Sequence, residues 1–171
     1  MRYIVSLILL SLLSGCISNN VKRYKPDYAH KTQIEQQIPK KINVSVSMPE
    51  GNRDAILCRM AGNIYLPNKM TYASYIADAL EKALKMADRY DNTSGSPVLQ
   101  ITLNKVDFSS TAGKWYIEGT AQMGNQSPIS IKSVTKFGTS WDAISACQNV
   151  ASAYEEAVGN FIEEILIKTK W

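Results

Sequence analysis

The sequence predicts an α+β fold: a two-layer sandwich with two helices on one face of a mostly antiparallel four-stranded sheet, in the order β-α-β-β-β-α. Three observations predict it. Four segments alternate apolar and polar residues with a period of two, as half-buried strands do. Two longer segments repeat apolar residues every three or four positions, as amphipathic helices do. The connectors between the last three strands are so short that their neighbours must run antiparallel.

The first strand is Ile42 to Met48, with Ile42, Val44, Val46 and Met48 on one face, stopped by Pro49-Glu50-Gly51. Residues 55–66 carry apolar patches around a Gly62-Asn63 turn signal and read either as a short strand pair or as a packed loop. From Thr71, a suitable N-cap, to Tyr90 the residues Ile76, Leu80 and Leu84 recur every four, with Asp78/Lys82 and Glu81/Lys85 at ion-pair spacing. Tyr72 and Tyr75 are expected to cover a core edge. After the loop Asp91–Pro97 come three strands. In Val98–Phe108 the apolar parity changes, so a bulge near Asn104-Lys105 keeps Leu99, Ile101, Leu103, Val106 and Phe108 all inward. In Lys114–Met123 the residues Trp115, Ile117, Ala121 and Met123 oppose Tyr116, Glu118, Thr120 and Gln122, and Pro128–Phe137 sets Ile129, Ile131 and Phe137 against Ser130, Lys132 and Lys136. The last helix, Asp142 to Lys168, has a broad stripe from Cys147 to Ile165. Gly159 within it points to close packing against the first helix or the sheet.

Composition bounds the chemistry. A chain of 171 residues, 45% hydrophobic, with nine Tyr and three Trp, can bury one domain's core with some residues to spare. The net charge of +4, from scattered Lys and Arg, is too mild to call for nucleic acid. The one histidine, His30, falls in a polar segment without periodicity, the glycines are singletons that form no phosphate loop, and Cys58, Cys147 and His30 lack the spacing of a zinc site. Glu118 and Asp107 on neighbouring strands form a carboxylate pair, but a solvated Glu on a strand face is the ordinary case. No catalytic residue, metal or cofactor is expected, and the chain is read as a non-enzyme.

The chain opens with Arg2 and about ten mostly apolar residues, too few to span a bilayer permanently. The run ends in Leu13-Ser14-Gly15-Cys16, which resembles the lipobox of bacterial lipoproteins. That resemblance implies a signal peptide over residues 1–15, cleavage before Cys16, a diacylglyceryl group on the Cys16 thiol and acylation of the new N-terminus. In a Gram-negative cell Ile17, being no aspartate, resembles the class sorted to the outer membrane, facing the periplasm. Residues 16–40, with Lys22, Arg23, Lys25, His30, Lys31 and Lys40, then read as a flexible tether, and 41–171 as the globular α+β domain. Over residues 41–168 the element order, together with the lipobox, resembles a loose group of small envelope lipoproteins. The group includes the lipopolysaccharide-assembly plug lipoprotein and auxiliary lipoproteins of ABC-type and lipid-trafficking systems.

Export reframes the remaining cysteines. Cys58 and Cys147 are an even number in an oxidising compartment, read either as one disulfide or as two buried thiols. The polar sheet face is the expected contact surface, with Tyr116, Glu118, Thr120, Gln122 and Lys132 as candidate partner-binding residues. The function expected is that of a membrane-anchored accessory or assembly subunit docking another cell-envelope protein. The alternative is a lipid or small-ligand carrier holding an apolar molecule between helices and sheet. Alanine-rich helix faces favour tight packing, and so the first.

Overall fold

The computed structural model describes residues 19–171; the expected signal peptide, Cys16 and Ile17 lie outside the described residues. Within them the elements are α1 (Tyr28–Gln37), β1 (Asn43–Ser47), β2 (Ala55–Leu57), β3 (Asn63–Tyr65), α2 (Tyr72–Met86), β4 (Val98–Ser109), β5 (Lys114–Met123), β6 (Ile129–Lys136) and α3 (Ala143–Lys168). The main sheet has the order β1-β4-β5-β6, and β2 and β3 form a separate hairpin, so of the two readings of residues 55–66 the short strand pair is the one found.

The α+β class holds, with two corrections to its detail. The sheet is mixed: β4–β5 and β5–β6 are antiparallel, but β1 pairs with β4 in parallel, from Asn43 opposite Val98 to Ser47 opposite Thr102. Between these two strands the chain returns through α2, the long crossover that parallel neighbours need. The second correction is a third helix, α1, inside the segment expected to be a tether. Val21, Tyr24, Ile34 and Ile38 are buried there, and α1 lies against both α2 and α3. Asp27 caps α1, its Oδ1 accepting from the His30 backbone N–H at 2.8 Å. Gly159 serves this same contact: a Cβ added to it would meet His30 Cε1 at 3.3 Å, so the close approach expected with the first helix or the sheet is instead with the N-terminal segment.

The other elements follow their sequence signals. Thr71 caps α2 in a reciprocal pair with Ser74, and Lys82–Asp78 and Lys85–Glu81 form the expected ion pairs on its exposed face. The bulge in β4 falls between Leu103 and Lys105, which turns Val106 inward with Leu99, Ile101 and Leu103. Opposite the bulge sits Gly119, where a Cβ would lie 2.6 Å from the Thr102 carbonyl oxygen, so the strands can approach only with glycine there. Between sheet and helices the core is centred on aromatic rings. Tyr154 of α3 stands 4.6 Å from Trp115, 5.1 Å from Tyr75 and 5.6 Å from Tyr72, centroid to centroid, and all four rings are buried. The expected bridge between Cys58 and Cys147 is present and ties the β2–β3 hairpin to α3.

Asp142 begins α3, its Oδ1 accepting from the Ser145 N–H at 2.7 Å and its Oδ2 from the Ser140 hydroxyl at 2.7 Å. Those bonds, the Ser145 N–H first, hold its carboxyl down at about 2. The unfolded value is about 3.9, so the stability this group adds is present above it and is lost as pH falls toward about 2. Asp142→Asn, which keeps an acceptor but cannot titrate, should flatten that acid limb when melting temperature is followed against pH. Superimposable limbs for the two proteins would refute the assignment.

Candidate functional site

The sheet has one covered face and one open one. Both α2 and α3 lie on the inner face, where Trp115, Ile117, Ala121 and Ile131 are buried, so strand alternation turns the intervening residues outward. The outward residues of β5, Tyr116, Glu118, Thr120 and Gln122, are all half-buried by their cross-strand neighbours. Lys132 on β6 is exposed. All five candidate residues therefore share one contiguous surface.

Register fixes who touches whom. Glu118 lies between Lys105 on β4 and Lys132 on β6, with Lys132 Nζ 3.3 Å from Glu118 Oε2. The pair is solvent-accessible and is worth at most about 1 kcal/mol. Tyr116 lies between Asp107 and Val134, and the Lys105 ammonium stands 5.0 Å over its ring. Thr120 is flanked by Thr102 and Ser130, and Gln122 faces Gln100. At one end of the face Lys114 is directly opposite Lys136, and like charges in that position repel.

Three contributors, Lys105, Lys114 and Val134, were missed by the sequence reading, and Lys136 was set on the polar parity without being named a candidate. Lys105 faces outward only because the bulge shifts the register by one, a consequence that follows from the predicted bulge itself. Lys114 and Lys136 belong to the outward parity of their strands, and Val134 is an apolar residue on that parity, half exposed. The carboxylate pair is not assembled: Asp107 is paired with Tyr116, Glu118 with Lys105 and Lys132.

His30 was expected to lie beyond the reach of any scaffold, and here the structure differs. Its Nδ1 is 2.8 Å from Asp27 Oδ1, within the cap of α1 itself, and its Nε2 is 3.2 Å from the Gly159 carbonyl oxygen, so both ring nitrogens are engaged and the second fastens α1 to α3. It borders an open depression of about 320 Å³ that Glu155, Glu156 and Asn160 also line. Burial, followed by the charges of Asp27 and Glu155, pushes the Tyr24 hydroxyl beside it well above the usual phenol range. Among the described residues no three His, Cys, Asp or Glu side chains are grouped to hold a metal, and no helix is long and apolar enough to cross a membrane. No family model matches the chain, and no curated protein or solved structure is significantly similar to it.

Proposed function

We propose that this protein is a membrane-anchored lipoprotein of the cell envelope, lipidated at Cys16, acting as a non-catalytic accessory or assembly subunit that docks another envelope protein. The observation that carries the reading is the open outer face of the sheet. It is polar and laterally continuous, and it places Lys105, Lys114, Lys132 and Lys136 against only Asp107 and Glu118, so it suits a partner surface with acidic groups. The rival reading, an apolar molecule held between helices and sheet, has less support, because Trp115, Tyr154, Tyr72 and Tyr75 occupy that space in mutual contact.

Two measurements test it. Cys16→Ala should move the protein from the membrane to the soluble fraction of lysed cells with the domain still folded; retention in the membrane would remove the anchor. A photocrosslinking residue at Thr120 should give one defined adduct in native membranes, and the same residue at Glu163, exposed on α3, should not. Adducts at both positions, or at neither, would remove the sheet face as the docking surface.

A further inference from the structure

We propose that the end of the molecule carrying the β2–β3 hairpin and Trp141 rests in the headgroup layer of the bilayer, so that the strands stand upright and the outer sheet face is presented sideways. The inference rests on the reading of Cys16 as lipidated and adds to it an orientation. The first argument is covalent length. The described chain begins at Asn19, only three residues after Cys16, and an extended chain of that length reaches about 10 Å. Asn19 is fastened to the hairpin: its carbonyl accepts from the Tyr65 N–H at 3.1 Å, its side chain donates to the Ala61 carbonyl at 3.3 Å, and the Tyr65 carbonyl accepts from the Val21 N–H at 2.9 Å. An acyl group on Cys16 therefore cannot be far from the hairpin.

The second argument is what that end exposes. Met60, at the hairpin tip, is 95% exposed and Trp141 is 103% exposed, and Leu57, Tyr65 and Ile144 near them are exposed as well. Among the described residues only Tyr28, Val134 and Ile167 are comparable large apolar side chains elsewhere. The end is cross-tied by one side chain. The Arg59 guanidinium donates to the Ser110 hydroxyl and carbonyl, both at 2.8 Å, and to the Ser140 carbonyl at 3.0 Å, which joins the hairpin to the loop bearing Trp141. Arg59 and Met60 both adopt positive φ, 42° and 58°, a conformation non-glycine residues avoid unless their surroundings impose it. The β4–β5 turn, the end of β6 and the starts of α2 and α3 all lie at this same end, as their directions in the sheet require. Lys114 and Lys136 border it, and Lys22 and Arg23, exposed, follow Asn19. An aromatic and methionine rim with flanking cations is the composition that settles at a bilayer interface.

The three tryptophans supply the test. Trp115 is buried, and Trp171 lies at the opposite end beside Pro39, Pro97 and Met123. The full-length protein, purified from membranes, is reconstituted into vesicles of phosphatidylethanolamine and phosphatidylglycerol with brominated acyl chains, and its tryptophan emission and its flotation with the vesicles are both measured. The expected result is loss of most Trp141 emission. The quenching should persist in Trp171→Phe, vanish in Trp141→Phe and fall in Met60→Glu, with flotation unchanged in all three. Flotation without quenching, quenching that survives Trp141→Phe, or a Trp141 shielded by a bound polypeptide would overturn the orientation and leave the anchor standing. Failure of the unsubstituted protein to float would overturn both.

Discussion

Replacing Cys58 and Cys147 by Ser is expected to destabilise the fold by about 4 to 5 kcal/mol, since the bridge closes a loop with a sequence separation of 89. For a domain of this size that is a fall of roughly 10 to 15 °C in melting temperature. Most of the effect acts on the unfolded chain, whose freedom the crosslink restricts. A local effect adds to it. Strands β2 and β3 have three residues each, and a two-stranded hairpin of that length is marginal without something to hold it. Here Cys58 ties it to α3, while Arg59 ties its tip to the β4–β5 turn and the loop before α3. Loss of the bridge should therefore speed amide exchange in the hairpin before it does so in β4 and β5. Reduced and oxidised proteins with equal melting temperatures would show that the bridge contributes nothing to stability.

What the sequence disclosed, and what it hid, follows from where each signal resides. Side-chain periodicity marks which face of an element is buried, and Trp115, Ile117, Tyr154 and Phe161 lie where it places them. Alternation carries no information on strand direction, so the parallel pairing of β1 with β4 was not visible in Ile42 to Met48. Helix α1 was hidden for a different reason. Its segment, YAHKTQIEQQ, is polar almost throughout, and Ile34 alone is buried within it. The helix is stabilised by contacts with distant elements: Ile34 and Ile38 bury one turn apart, Tyr24 and His30 fill the space left by Gly159, and Asp27 caps its start. The spacing of Ile34 and Ile38 after an Asp was the one local trace. The five candidate site residues were legible because they needed only strand parity. Lys114 and Lys136 share that parity, whereas Lys105 is turned outward only by the register shift at Leu103/Lys105, and which lysine stands opposite which depends on partners far along the chain.

Tyr154→Ala should cost about 3 to 5 kcal/mol, the range for removing a large aromatic side chain from a packed core, whereas Tyr154→Phe should be neutral or stabilising by about 1 kcal/mol. The contrast separates ring from hydroxyl. The ring touches Trp115, Tyr75 and Tyr72, so its removal leaves a void lined by three other aromatics that cannot close around it. The hydroxyl finds no hydrogen-bond partner among the described residues, unlike the Trp115 indole, which donates to the Val150 carbonyl at 2.9 Å, and the Tyr75 hydroxyl, which donates to the Lys22 carbonyl at 2.7 Å. Burial without a partner pushes the Tyr154 hydroxyl well above the usual phenol range and makes the group a net cost that phenylalanine would remove. Denaturant unfolding with an unchanged dependence on denaturant concentration would measure both variants. A loss above about 1 kcal/mol in Tyr154→Phe would mean that the hydroxyl is satisfied in solution, so that water enters the aromatic cluster. The space between helices and sheet would then be open to small molecules, and the carrier reading would gain the support that the packed rings now deny it.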